Sequence, residues 1–131
     1  MEGNEVHSGD MPETSGPGVE EDGILSNEIS NAVVALYKEH GGKGPTRCRT
    51  YLQSDLAAVV LGGGYTASEQ TLFEDGRWYA VRETRQLWQD SMQARFVEAI
   101  ERLTGRKVRA FMSANHQDPD LSVELFVLDS A

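Results

Sequence analysis

The chain has 131 residues, of which 39% are apolar, so it is long enough for one domain with a single core and too short for two. Its net charge of -9 is uneven, because residues 1–23 hold seven acidic residues and no Lys or Arg, whereas residues 24–131 hold 14 acidic and 12 basic residues. The folded part is therefore close to neutral, which argues against binding to DNA. The longest apolar run, residues 56–61, is far too short to insert into a bilayer as a spanning helix.

Residues 1–23 differ in composition from everything that follows. They are rich in acidic residues, Gly and Pro, and their few apolar side chains are isolated, so we expect a disordered acidic tail. The tail lacks the basic start and apolar run of a signal peptide. A lone cysteine, Cys48, excludes an internal disulfide and fits a reducing cytosol, so we expect a cytoplasmic protein with one folded domain over residues 24–131.

The first half of the domain reads as a helix followed by two strands. Ser26 is a suitable N-cap for an amphipathic helix over 26–40. The Gly-Lys-Gly-Pro loop at 42–45 lacks the spacing of a phosphate-binding loop. The alternating pattern over 46–53 predicts a strand, and the apolar run at 56–61 predicts a central strand covered on both faces.

A glycine-rich turn and a short helix come next. Residues 62–67 loosely match a dinucleotide-binding pattern, but a parallel strand with a ribose-binding acid does not follow, so we interpret the glycines as a turn and leave a minor role in anion binding open. Thr66 and Glu69 form the pattern of a capping box, which predicts a helix start. Gly76 is the natural place for that helix to end.

Apolar residues at helical spacing predict one continuous helix over 77–103. It would be about 40 Å long at roughly 1.5 Å per residue, and it carries two apolar stripes, so we expect part of it to overhang the sheet or meet a partner. Leu87 and Trp88 are the candidate contacts of a homodimer. The alternative is that Trp78 and Trp88 both cover the core of their own chain.

Two further strands, over 106–114 and 121–128, are predicted to form a hairpin. His116, Asp118 and Asp120 in its turn could approach a cation, but they are too few for a tight site, so we expect turn-forming roles and no metal or cofactor. The complete pattern predicts an α+β fold of the order α-β-β-α-α-β-β, in which a four-stranded antiparallel sheet of two hairpins packs against a long helix and an N-terminal helix.

Short motifs in a fixed order also point to a family. They are Gly42-Lys43-Gly44-Pro45, Arg49, Asp55, Thr66 with Glu69, Gly76-Arg77, Val81-Arg82 with Arg85, Leu103-Thr104-Gly105-Arg106, His116-Gln117-Asp118-Pro119-Asp120 and the strand at 123–128. From residue 24 to 128 the sequence resembles the MpsC-like family, named for a sodium-translocating, membrane-potential-generating system. The resemblance implies a soluble accessory protein that works with membrane-bound cation-transport subunits, and it implies no catalytic residues. The polar motif positions that turn geometry does not require are the ligand-binding candidates: Arg49, Asp55, Arg82, Arg85 and His116.

Three functional hypotheses follow. The favoured one is a non-catalytic accessory or regulatory protein, dimeric, with a membrane-protein partner from a cation-transport or potential-generating system. The second is a sensor of a small anion or other ligand, in which Arg49, Arg82 and Arg85 close on the ligand. The third is an RNA-binding module that uses Arg and Tyr side chains on a strand. A Cys48 nucleophile with His116 as its base is disfavoured, because the two residues lie on separate hairpins.

Overall fold

The computed structural model describes residues 19–130, so residues 1–18 of the expected acidic tail lie outside the described part of the chain. In chain order the elements are α1 (Val19–Gly41), β1 (Arg47–Gln53), β2 (Leu56–Gly62), α2 (Ala67–Glu74), α3 (Trp78–Ser91), α4 (Gln93–Thr104), β3 (Val108–His116) and β4 (Leu121–Leu128). Within this range, no helix combines the length and the hydrophobicity that crossing a bilayer requires.

The strands form one four-stranded antiparallel sheet in the order β1-β2-β4-β3. β1 pairs with β2 as one hairpin, β3 pairs with β4 as a second, and β2 pairs with β4 between them. The predicted α+β fold with two hairpins is therefore confirmed. This order places β1 and β3 at opposite edges, so residues on those two strands are separated by the width of the sheet.

Helix α1 begins at Val19, earlier than the start expected at Ser26. Ser26 lies inside the helix and not at its N-cap, and Gly23 is helical as well. A glycine inside a helix costs about 1 kcal/mol relative to alanine, and the later start was expected because Ser26 is a suitable N-cap. Further along α1, Ile29 and Val33 are fully buried, and tertiary packing of such a face commonly outweighs a weak local propensity.

The predicted long helix is two helices, α3 and α4, separated at Met92. Met92 has φ -87° and ψ -3°, away from the regular helical ψ of about -42°, and its N–H is shared between the carbonyls of Trp88 and Gln89. Met92 is buried, α3 packs on β3, and α4 packs on both α1 and β3. The prediction of one continuous helix of about 40 Å is therefore wrong. The expectation that part of it extends beyond the sheet rested on that length and is no longer supported.

The short helix α2 starts where the sequence predicted. The Thr66 hydroxyl accepts a hydrogen bond from the Glu69 N–H at 3.2 Å, and the Glu69 carboxylate accepts one from the Thr66 N–H at 2.9 Å, which completes the capping box. After α2, Gly76 adopts a positive φ of 77°, as a helix-terminating glycine does.

The two faces of the sheet have different surroundings. On the helix side the inward residues of β2 and β4 are buried with the core of α1 and α4, and this core includes Val59, Phe126, Val33 and Phe96. The opposite face has no helix of the described chain over it, and Leu56 at the start of β2 is 37% exposed. The prediction that β2 is covered on both faces is wrong, because within residues 19–130 the helices that contact the sheet pack on the face of Ala57, Val59 and Leu61.

Candidate functional site

A cleft opens on the helix side of the sheet, between the end of α1, the loop at 42–46, the glycine turn at 62–66 and α3. Its volume is about 170 Å³. An apolar cavity of about 150 Å³ can hold a benzene molecule, so the cleft has room for a small ligand.

The glycine turn shapes one wall of this cleft. Gly63 has a positive φ of 75°, and a side chain there would place its Cβ 2.0 Å from the Thr46 hydroxyl. Glycine is therefore required at this position by backbone conformation and by close approach. This confirms the interpretation of the glycines as a turn.

Arg85 of α3 lies at the centre of a charged cluster. Its guanidinium donates to both carboxylate oxygens of Glu69 at 3.1 Å and to Asp120 at 2.9 Å, and it lies 4.5 Å from the ring centre of Tyr65. The Arg85 side chain is only 14% exposed. These contacts, which we call the Arg85 cluster, join α2, α3 and the β3–β4 turn at the edge of the cleft.

Tyr65 connects the glycine turn to the same cluster. Its backbone N–H donates to the second oxygen of Asp120 at 3.0 Å, and its hydroxyl donates to the backbone carbonyl of Gln117 at 2.7 Å. Burial, reinforced by the charge of Asp120, raises the pKa of Tyr65 to about 12. Tyr65 therefore acts as a neutral hydrogen-bond donor.

A second polar cluster lies deeper, around Glu124 of β4. The Glu124 carboxylate is fully buried and accepts hydrogen bonds from Tyr37 at 2.5 Å, Gln89 at 2.6 Å and Ser113 at 2.7 Å. Burial raises the pKa of Glu124, although these three hydrogen bonds act in the opposite direction. Burial also raises the pKa of Tyr37, and the charge of Glu124 adds to that shift.

Hydrogen bonds connect this buried carboxylate to the cleft. Gln89 accepts a hydrogen bond from the Asn115 side chain at 2.5 Å, and Asn115 accepts one from the Ser122 hydroxyl at 2.7 Å. Tyr37, Gln89, Asn115 and Ser122 all line the cleft. We call Glu124 and these partners, with Ser113, the Glu124 network. The sequence reasoning did not identify it as a site.

The structure brings only one of the predicted ligand-binding residues to the cleft, namely Arg85. Asp55 pairs with Arg106 at 2.6 Å in the β1–β2 turn, and Arg82 is exposed on α3. Arg49 lies 5.3 Å from the ring of Tyr51 on the open face of the sheet, and His116 contacts the Pro119 carbonyl at 2.9 Å. The five candidates thus do not converge on one site.

Comparison with known proteins decides the family. A family profile described as "Na+-translocating membrane potential-generating system (MpsC)" matches residues 21–130. The chain belongs to the MpsC family. It is also 30% identical over 105 residues to "Uncharacterized protein YrhF" of Bacillus subtilis (strain 168), a match that covers 79% of this chain and 86% of that protein. No solved structure matches.

In this member of the MpsC family the two predicted dimer contacts differ in exposure. Leu87 is 62% exposed, whereas Trp88 is partly buried against the core. The Trp88 ring lies 4.8 Å from the Tyr37 ring, and its indole N–H donates to the His40 carbonyl at 3.1 Å. Trp88 therefore has a packing role within its own chain.

The geometry supports neither the Cys48–His116 pair as a nucleophile and base nor a metal site. Cys48 lies on the edge strand β1, with its thiol 4.0 Å from the Ser30 carbonyl, while His116 lies on the opposite edge strand. Burial raises the pKa of Cys48 to about 11, which disfavours a reactive thiolate. Across residues 19–130, no three His, Cys, Asp or Glu side chains converge as a metal site would require.

Proposed function

We propose that this MpsC-family protein is a non-catalytic, cytoplasmic accessory or regulatory protein of a membrane cation-transport or membrane-potential-generating system. The kind of membrane system named in this proposal is taken from the description of the family. In this proposal the chain acts by docking onto a membrane-protein partner.

The observation that carries the proposal is an exposed aromatic pair at the start of α3. Trp78 is 46% exposed and Tyr79 is 56% exposed, and their ring centres are 6.4 Å apart. Large aromatic side chains are the residues on which protein–protein interfaces most often depend. This pair supports a role in binding another protein.

The state of the charged groups at the cleft supports a non-catalytic role. Glu69 and Asp120 both form ion pairs with Arg85, and the Glu124 carboxylate already accepts three hydrogen bonds. Charged groups whose hydrogen bonds go to other residues of the same chain hold helices and strands together. A general acid or base instead needs a hydrogen-bonding position that faces its substrate.

The test is affinity purification of the tagged full-length chain from detergent-solubilised membranes of its own host. We expect integral cation-transport subunits to co-purify, and we expect the double change Trp78→Ala with Tyr79→Ala to lower their recovery about tenfold or more. Leu87→Ala, which trims another exposed apolar residue on the same helix, is the matched control. Recovery of those subunits no greater than from an untagged strain would refute the proposal.

The cleft favours ligand sensing as a second candidate. Lys43 and His40 lie at its rim, and the Lys43 ammonium donates to the Tyr65 carbonyl at 2.9 Å. Arg49 and Arg82 do not line it, so the geometry does not support the three-arginine clamp for an anion. Calorimetric titration with phosphate and with bicarbonate is the test. Binding that Lys43→Ala weakens and Arg82→Ala leaves unchanged would support this candidate.

The geometry offers no comparable support for the RNA-binding hypothesis. The open face of the described sheet carries one Tyr ring, that of Tyr51, with Arg47 and Arg49 on the same edge strand, and its other strands carry mainly aliphatic side chains. Sheets that bind RNA usually stack two or three bases on several aromatic rings.

A further inference from the structure

The open face of the sheet is apolar across three of its four strands. Strand register places its residues in rows that run from β2 through β4 to β3. The two central rows are Ala58–Leu125–Met112 and Val60–Val123–Ala114. All six side chains are aliphatic or thioether groups. The Arg side chains on this face come from the edge strand β1, where Arg49 pairs with Val60 and the Arg47 guanidinium lies beside Gly62 of β2.

This pattern differs from that of a sheet whose second face is in water. An antiparallel sheet packed on one side normally alternates apolar residues inward with polar residues outward. Here β2 carries apolar residues on both faces, and β4 places Val123 and Leu125 outward on either side of the inward Glu124. A continuous apolar face of this kind indicates an interaction surface.

The face has the area that a dimer needs. With strands about 4.8 Å apart and about 3.4 Å per residue, four strands of seven residues cover roughly 450 Å². Two such faces bury on the order of 1,000 Å² or more once the uneven surface of the side chains is included. This is the smallest buried area that is typical of specific interfaces. The three apolar strands make up roughly 340 Å² of each face, a size at which the largest apolar patch of a protein is often functional.

We propose that two copies of this chain pack face to face through the open face of the sheet. The dimer is then a sandwich of two sheets about 10 Å apart with the helices on its outside. This inference does not depend on the accessory role proposed above, because it concerns the isolated chain.

The distribution of large and small residues fits a twofold axis parallel to the strands. Such an axis lays β2 of one copy over β4 of its partner, so Leu125 lies over the small Ala58. It also lays β1 over β3, so Met112 lies over Tyr51. The Arg49 side chains of the two copies then lie at opposite edges, which avoids repulsion between like charges.

A second copy fits this face better than the other available occupants. Residues 1–18 contain only three apolar side chains, those of Met1, Val6 and Met11, and cannot cover six or more apolar positions. A surface that binds anionic lipid usually combines aromatic with Lys and Arg side chains. On this face the Tyr and Arg side chains are confined to the edge strand β1, as Arg47, Arg49 and Tyr51, and the two central strands carry none.

The test is sedimentation equilibrium of the purified full-length chain between 1 and 100 μM, roughly the range in which interfaces of this size associate. We expect the wild type to be dimeric. Leu125→Lys is expected to weaken dimerisation about 100-fold or more, because it places a charge at the centre of the buried face. Leu87→Lys, on the exposed side of α3, is the matched control and should remain dimeric.

A second variant keeps the test independent of folding. Met112 is 51% exposed on the edge strand β3, so Met112→Glu should fold as the wild type does and still weaken dimerisation. Circular dichroism checks the fold of each variant. Three results would overturn the inference: a monomeric wild type at 100 μM, dissociation by Leu87→Lys with Leu125→Lys unchanged, and a monomer that dimerises only after residues 1–18 are removed.

Discussion

The Arg85 cluster and the Glu124 network lie beside the same cleft, yet they stabilise carboxyl groups in different ways. In the Arg85 cluster, Glu69 and Asp120 are held by a guanidinium at 2.9 to 3.1 Å. In the Glu124 network, neutral hydroxyl and amide groups supply the three hydrogen bonds. The first arrangement sets one cation against two carboxylates, and the second leaves one buried carboxyl group whose charge is compensated only by dipoles.

The difference shows how position in the fold selects the kind of partner. The Arg85 cluster lies where α2, α3 and the β3–β4 turn meet, close enough to solvent for a long charged side chain to reach two acids from different elements. Glu124 lies under α1 and α3 on an inner strand of the sheet, where burying both an acid and a base would carry a desolvation penalty of several kcal/mol per ion. Neutral polar side chains on α1, α3 and β3 supply the hydrogen bonds to Glu124 there.

The largest effect is expected from Glu124→Ala, which breaks the buried network. It leaves the Tyr37 hydroxyl without an acceptor, leaves the Gln89 amide with only its 3.4 Å hydrogen bond to Tyr37 and opens a cavity, so we expect the free energy of unfolding to fall by about 3–4 kcal/mol. Urea unfolding at pH 7 measures it. Glu124→Gln is the matched control, because its carbonyl can accept from Tyr37 and Gln89 while the Ser113 hydroxyl turns to accept from its amide. A loss for Glu124→Ala no larger than for Glu124→Gln contradicts this description.

A smaller loss is expected from Arg85→Met, which keeps the length of the side chain and removes its charge. The variant leaves Glu69 and Asp120 facing each other, and we expect a loss of about 2–3 kcal/mol because both acids retain partial access to water. A double-mutant cycle with Asp120→Asn isolates the pair. Additive losses from the two changes would show that Arg85 and Asp120 are not coupled.

Much of the fold followed from local patterns. The alternation of apolar residues identified three of the strands, an apolar run identified β2, and the capping box located the start of α2 because both of its partners lie within four residues. The break at Met92 had no comparable signal, since neither Gly nor Pro occurs there and the interruption arises within tertiary packing. The uncovered face of β2 was also missed, because an apolar run does not show on which side the helices will lie.

The candidate site was less visible than the fold. Arg85 was found as part of a motif, but its convergence with Glu69 and Asp120 depends on contacts between residues 16 and 35 positions apart. Glu124 did carry a signal. It occupies an inward position between Ser122 and Phe126 on an alternating strand, and an acid at such a position predicts a buried polar partner.

The finest distinction between the two clusters is their response to pH. Arg85 stays charged throughout the accessible range, whereas burial raises the pKa of Glu124. A carboxyl group with a higher pKa in the folded state binds its proton more tightly when folded, so its contribution to stability falls as pH rises above the unfolded value of about 4.3. We expect the wild type to lose stability relative to Glu124→Gln across that window, by at most about 1.4 kcal/mol per pH unit in urea unfolding. Arg85→Met should retain this pH dependence because its Glu124 is intact. A wild type that gains stability relative to Glu124→Gln as pH rises would mean that the three hydrogen bonds, and not burial, control this carboxyl group.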